Sequence, residues 1–290
     1  MHIIRLAAIG ALIVVSVSGS GCQAKEDSGI EGPVEVVYAV RDTTVLHAFL
    51  FSPSPRPGQP SAAIVLFHGG GWFMGEAQWA FPTAKHFAGM GMVGVAAQYR
   101  LSDQKTITPL EAMADARSVI RWIRSHADSL SVDPDRIAAY GWSAGAHLAA
   151  CAAVFDDADS GSQVSCSPNA LILHSPAVSV IGDGWFRRLL LGRADVRDVS
   201  PDEHVRPGLP PALILQGDVD TVTPLAFVER FWRRMHEAGN RCELEVYEGF
   251  GHLFTPMSVP DNERPQPDKK IVAEAMSRAE EFLRSLGFLR

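Results

Sequence analysis

Arg136-Ile137-Ala138-Ala139-Tyr140-Gly141-Trp142-Ser143-Ala144-Gly145 is the stretch whose reading decides the fold. Arg136 to Tyr140 is short and mostly apolar, the pattern of a strand buried on both faces. It runs into a Gly-x-Ser-x-Gly turn, and Ala144 to Phe155 continues as a helix whose small residues allow close packing on a sheet. At so sharp a strand-to-helix turn the serine takes strained backbone angles. Glycines on either side remove Cβ clashes, so that the hydroxyl projects above the sheet. The helix start also aims the Ala144 N–H at the place where a tetrahedral intermediate would gather negative charge.

Outward from this turn, strand and helix patterns alternate. Val34 to Val40 and Val45 to Phe51 read as an antiparallel hairpin around Arg41-Asp42-Thr43-Thr44, and Pro53 to Pro60 as a proline-rich loop. Ala62 to Phe67 is a buried strand, Trp79 to Met90 a helix, Met92 to Ala97 a strand and Pro109 to His126 a long amphipathic helix with proline in its first turn. Downstream, Ala170 to His174, Ala212 to Gln216 and Glu243 to Tyr247 read as strands. Pro224 to Ala238 and Lys269 to Leu286 read as helices, with an exposed loop at Pro256 to Asp268. The pattern predicts an α/β fold: one domain over residues 34–290, with a mostly parallel central sheet and helices on both faces. The Ser175 to Pro210 excursion, which contains Trp185 and Leu189 to Leu191, is short, so a small cap or none is expected.

A serine hydroxyl is a poor nucleophile at neutral pH and needs a base, a group that fixes the base, and donors for the oxyanion. Ser143 is the candidate nucleophile. His68-Gly69-Gly70-Gly71-Trp72 follows a buried strand, and glycines there let backbone N–H groups approach a ligand closely. Gly70 and Gly71 are thus candidate oxyanion donors beside Ala144, with His68 a structural residue of the loop. Gly249-Phe250-Gly251-His252 follows the last strand, and the order serine, acid, histidine selects His252 as base over His174, His204 and His236. Gln216-Gly217-Asp218-Val219-Asp220 offers two carboxylates; Asp220 lies further along the loop and is the candidate acid, leaving Asp218 as a turn-forming residue. Trp72, Trp142 and Trp185 either line a substrate pocket or pack in the core. Asp115 and Arg100 are candidates for an ion pair bracing the sheet.

Taken together, HGGGW (68–72), GWSAG (141–145), GDVDTVTP (217–224) and GFGH (249–252) resemble the α/β-hydrolase superfamily. Within it they resemble bacterial carboxylesterases related to acetyl esterases, acetylxylan and feruloyl esterases and hormone-sensitive-lipase-like enzymes. The resemblance covers residues 34–290. It implies Asp220 as acid through the Gly-x-x-Asp pattern and Gly70, Gly71 and Ala144 as oxyanion donors. No cofactor is expected; the short excursion between Ser175 and Pro210 suggests an open site for short-chain, acetyl-type esters, and an export signal over residues 1–22 suggests acylated carbohydrate as the target. Prolyl-oligopeptidase catalytic domains share the order, but the paired glutamates that would hold a peptide amino terminus have no counterpart here. A binding protein on a disabled hydrolase scaffold would lack a member of the Ser143, Asp220, His252 set.

The net charge of −7, with no block of Lys or Arg, gives no electrostatic reason to bind nucleic acid or an anionic membrane surface. Arg5, the apolar run Leu6 to Val17 and the small residues Ser16 to Gly21 read as an export signal over residues 1–22, followed by a flexible linker over 23–33. The apolar run is shorter than the roughly 20 residues a membrane span requires. Cys22 after Gly19-Ser20-Gly21 resembles a loose lipoprotein box, with cleavage near Ala24 as the alternative. Of the remaining cysteines, Cys151 and Cys166 would close the shortest disulfide loop, with Cys242 the third. No Cys-x-x-Cys or clustered His/Cys spacing suggests a metal site.

Overall fold

The computed structural model describes residues 32–54, 59–155, 162–259 and 263–290. The export signal, Cys22 and most of the linker lie outside the described residues. The chain opens with the antiparallel hairpin of β1 (Val34–Arg41) and β2 (Thr44–Phe51). Then follow β3 (Ser61–Phe67), α1 (Phe81–Gly89), β4 (Val93–Ala97), α2 (Pro109–Ser125), the one-turn α3 (Ala127–Leu130), β5 (Val132–Trp142) and α4 (Ala144–Val154). The second half holds β6 (Ala170–His174), α5 (Gly184–Leu189), β7 (Ala212–Gly217), α6 (Leu225–Glu237), β8 (Cys242–Tyr247) and α7 (Lys269–Ser285).

Among the described residues, eight strands form one sheet in the order β1-β2-β4-β3-β5-β6-β7-β8. β2 joins β4 antiparallel, and every pairing from β4 through β8 is parallel. Apolar side chains of α2, α4 and α6 form one buried cluster with one face of the sheet, and those of α1 and α7 form the other. The chain leaves β3 toward β4 on one side and returns to β5 on the other. That reversal opens a crevice at the carboxyl ends of β3 and β5, where ligands bind in open α/β sheets.

Two element starts differ from the sequence expectation by more than one residue. Ala77–Ala80 is a 3-10 turn and the helix proper starts at Phe81, because Pro82 has no N–H to donate and suits a first turn. β5 begins at Val132: Ser61 pairs with Val132 but Ala63 pairs with Ile137, so Asp133, Pro134 and Asp135 lie within an irregularity that accommodates proline inside the strand. α2 starts at a capping box in which Glu111 accepts the Thr108 N–H (2.7 Å). Its Asp115 is fully buried and accepts from Arg100 Nη2 (2.8 Å), Arg100 Nε (2.9 Å) and the Arg100 N–H (2.9 Å), which pins α2 to the segment leaving β4. Among the described residues, no helix is long and apolar enough to cross a membrane.

Candidate active site

β5 delivers Ser143 at φ 52, ψ −117, a conformation that L-residues rarely adopt. Its N–H donates to the His174 carbonyl on β6 (2.9 Å), and its own carbonyl accepts the N–H of Ala146 (3.0 Å) and His147 (3.1 Å). The turn closes only because of the glycines. A Cβ on Gly145 would lie 2.1 Å from the Phe67 oxygen, and one on Gly141 would lie 2.2 Å from the Gly145 oxygen.

His252 and Asp220 reach the same point from the loops after β8 and β7. Ser143 Oγ is 2.9 Å from His252 Nε2, and His252 Nδ1 is 2.9 Å from Asp220 Oδ2. A carboxylate oxygen only accepts, so Nδ1 carries the hydrogen and Nε2 is left to accept from the serine hydroxyl. Donors surround Asp220: the N–H of Val222 (2.9 Å) and of Thr223 (2.7 Å) on Oδ1, and the Thr223 hydroxyl (2.8 Å) beside His252 on Oδ2. Asp218 Oδ1 accepts the Gly249 N–H (2.7 Å), so its carboxylate bridges the acid loop to the histidine loop. The histidine loop is tight: Leu253 (φ 54) and Phe254 (φ 60) are both left-handed, and the Leu253 N–H donates to the Ser175 hydroxyl (3.0 Å).

Across from the serine, the glycine loop is aimed by its carbonyls. In a trans peptide the N–H points opposite to the preceding C=O. The Gly69 carbonyl accepts from His68 Nδ1 (2.6 Å), which sets the Gly70 N–H. The Gly70 carbonyl accepts the N–H of Met74 (3.1 Å) and Phe73 (3.3 Å), which sets the Gly71 N–H. Gly70 itself stands at φ 119, where a Cβ would lie 2.1 Å from the Met74 oxygen. His68 is buried and stacked on Tyr99 (4.3 Å between rings), and burial pulls its pKa down to about 4, keeping it neutral with its hydrogen on Nδ1. A Cβ on Gly69 would lie 3.5 Å from Ser143 Cβ, so the loop and the α4 N-terminus face one small volume.

The three tryptophans separate. Trp72, at φ 63, turns inward and is buried among core side chains, packed edge-on to Phe186 (4.6 Å), so it does not line the cleft. Trp142 is half-buried and stacks on Tyr140 (4.4 Å). Trp185 comes from α5, donates to the Gly71 carbonyl (3.1 Å) and meets Phe73 edge-on (5.0 Å).

The Cys151–Cys166 bridge that the sequence left open is not formed: Cys151, Cys166 and Cys242 are all free and buried. Cys151 Sγ points along α4 at the His147 ring (3.4 Å to Nε2), away from any bridge, and burial pushes its thiol pKa up. Among the described residues, no group of three or more His, Cys, Asp or Glu could hold a metal ion. Thr223 and His147 escaped the sequence reading. A hydroxyl three residues after the acid was a usable signal, whereas nothing local marks a histidine inside an alanine-rich helix.

A serine–histidine–aspartate relay at the loop ends of a mostly parallel, two-faced sheet defines a class of α/β protein. The alpha/beta hydrolase fold family model matches residues 64–256, and the chain belongs to that family. The apo structure of Thermogutta terrifontis esterase 2 is similar, with 37% sequence identity and a TM-score of 0.79, covering 89% of this chain and 96% of that one. The same esterase has structures with propionate bound and with butyrate bound. A probable isoprenylcysteine alpha-carbonyl methylesterase of Arabidopsis thaliana is 26% identical over 70% of this chain and 47% of its own length. An acetylxylan esterase of Xylanibacter ruminicola is 26% identical over 68% of this chain and 42% of its own. The chain spans about half the length of such curated relatives.

Proposed function

We propose that the protein is a serine carboxylic ester hydrolase acting on short, acetyl-type acyl esters, with acylated carbohydrate as its natural target class. One observation carries the reading: an unbroken relay of 2.9 Å contacts from Ser143 Oγ through His252 to Asp220, at a serine held in a strained turn. His252 Nε2 takes the Ser143 proton as Oγ attacks the ester carbonyl carbon. The oxyanion forms against the N–H groups of Ala144, Gly70 and Gly71. His252 returns the proton to the departing alcohol, leaving an acyl-serine. Water, deprotonated by His252, then attacks the acyl carbon, and the acid leaves as Ser143 regains its proton. Asp220 holds the imidazole tautomer and faces the positive charge His252 acquires.

Short acyl groups are favoured by the close approach of the glycine loop to Ser143, and by the propionate and butyrate complexes of the Thermogutta esterase. Carbohydrate esters are favoured by the acetylxylan esterase relative and by the export-signal pattern of residues 1–22, since an exported enzyme would meet acylated polysaccharide outside the cytoplasm. Phe73 and Trp185, packed edge-on beside the Gly71 carbonyl, and Trp142, next to the nucleophile, are the aromatic residues proposed to meet substrate.

The test is a substrate panel on the purified chain: p-nitrophenyl acetate, butyrate and palmitate, acetylated xylo-oligosaccharide, and a dipeptide anilide. Acetate and butyrate should be turned over fastest, and a fluorophosphonate should label Ser143 but not the Ser143→Ala variant. Preference for palmitate would overturn the acyl class, and an unlabelled Ser143 would overturn the mechanism.

A further inference from the structure

His147 lies one helical turn beyond Ser143, fully buried, and takes no part in the relay. Both ring nitrogens are engaged: Nδ1 is 3.2 Å from Trp72 Nε1 and Nε2 is 2.9 Å from the Val199 carbonyl oxygen. An indole N–H only donates and a carbonyl only accepts, so the ring is neutral with its hydrogen on Nε2. Burial favours the same state by drawing the pKa down to about 4. The groups around the ring are uncharged: Trp72, Phe186 at 5.3 Å between rings, the Cys151 thiol and the Val199 carbonyl. The backbone N–H of the same residue donates to the Ser143 carbonyl. One residue thus ties together the nucleophile turn, the residue after Gly71, and the excursion between β6 and β7.

Trp72 is the point of leverage. It stands at φ 63, a left-handed conformation that a bulky residue keeps only when its surroundings compel it. Its carbonyl accepts the Ser102 N–H (2.8 Å) and its ring is held by His147 and Phe186. Trp72 follows directly on Gly71, so its backbone and the Gly70–Gly71 segment are joined through a single planar peptide.

We infer that His147, as the Nε2–H tautomer, is a positioning residue that sets the glycine loop through the Trp72 indole and so fixes the oxyanion donors on the far side of the cleft from its own helix. The inference rests on the proposed ester hydrolysis for its kinetic consequence, and on the loop alone for its structural one.

Three variants separate the arms. Trp72→Phe removes the donor but keeps an aromatic ring in the core. His147→Leu removes both ring nitrogens. His147→Asn puts an acceptor close to the place of Nδ1. With p-nitrophenyl acetate, Trp72→Phe and His147→Leu should each lower kcat by about 10- to 100-fold, the range that small misplacements of catalytic groups produce. KM should stay within about twofold, and affinity for a trifluoromethyl ketone, which forms a tetrahedral oxyanion on the serine, should fall in parallel with kcat. The double variant should be no worse than His147→Leu alone, because that variant has already lost the bond to the indole. His147→Asn should recover most of kcat, and should fail to do so in the Trp72→Phe background.

Amide hydrogen exchange across residues 68–75 gives a second readout that needs no substrate, and should quicken in Trp72→Phe and His147→Leu but not in His147→Asn. Wild-type kcat and wild-type exchange in a folded Trp72→Phe protein would overturn the inference, as would additive losses in the double variant. Absent ester turnover in the wild type, with exchange behaving as stated, would count against the substrate class alone.

Discussion

At Ser143 a β-carbon occupies φ 52, ψ −117, which costs roughly 1–3 kcal/mol wherever surrounding structure imposes it. The imposing contacts are the His174 carbonyl on its N–H and the two α4 amides on its carbonyl. Ser143→Gly should therefore melt at a higher temperature than Ser143→Ala although neither can form an acyl-enzyme, because only glycine relieves the backbone. Thermal unfolding of the two inactive variants makes the comparison, and equal melting temperatures would contradict it. Asp220→Asn should leave the fold intact and lower kcat roughly 10³- to 10⁴-fold by disturbing the His252 tautomer, as in other serine triads. Steady-state kinetics beside an unchanged circular dichroism spectrum would check this.

At this scale the sequence was most legible where one residue type alone satisfies a local need, as with glycine at 145, whose missing β-carbon admits the Phe67 carbonyl. It was least legible where direction matters. Nothing in HGGGW states that Trp72 turns inward. Nothing in the spacing of Cys151 and Cys166 reveals that the first points at its own helix's histidine.

Among the elements, α2 and β4 depend on each other through a single carboxylate. Asp115 satisfies two Arg100 side-chain nitrogens and the Arg100 amide, and Arg41 Nε stands 4.0 Å away. Asp115→Ala would leave the half-buried Arg100 without its counter-ion and its backbone N–H without an acceptor, a change that costs about 1–3 kcal/mol. Urea denaturation should show the loss, with KM for a small ester unchanged in the protein that remains folded. The order and type of the strands and of the longer helices follow from hydrophobic period, so they could be read in advance, whereas the short α3 and α5 could not. The start of β5 could not, because Asp133-Pro134-Asp135 has the composition of a turn and pairs only through an irregular register with β3. The 3-10 turn ahead of α1 was hidden for a related reason: Trp79 and Ala80 continue the apolar pattern, and only Pro82 marks where helical hydrogen bonds can begin.

Over the whole molecule, three buried histidines set the acid limit of stability. Burial lowers the pKa from 6.5 to about 4 in His68, about 4 in His147 and about 3 in His174. Below pH 6.5 the unfolded chain binds protons at these positions that the folded chain refuses. Stability is therefore full above about pH 6.5 and falls as the pH drops toward 4, with the His174 share lost down to about 3. The slope is on the order of 1.4 kcal/mol per pH unit for each histidine in mid-window. Melting temperatures between pH 7 and 4 should fall accordingly, and His174→Asn should flatten the decline. A flat profile would mean that the rings titrate normally in the folded state.

The excursion between β6 and β7 is not draped over the site. Phe186, Leu189, Leu190, Val196 and Val199 are part of the same buried cluster as the sheet, and Trp185 holds the Gly71 carbonyl. The doorway to the serine is thus framed by load-carrying masonry: it has one width, set when the chain folds, and widening it means dissolving the interior behind it. On a slow temperature ramp, catalysis and near-ultraviolet dichroism should consequently vanish together rather than one after the other.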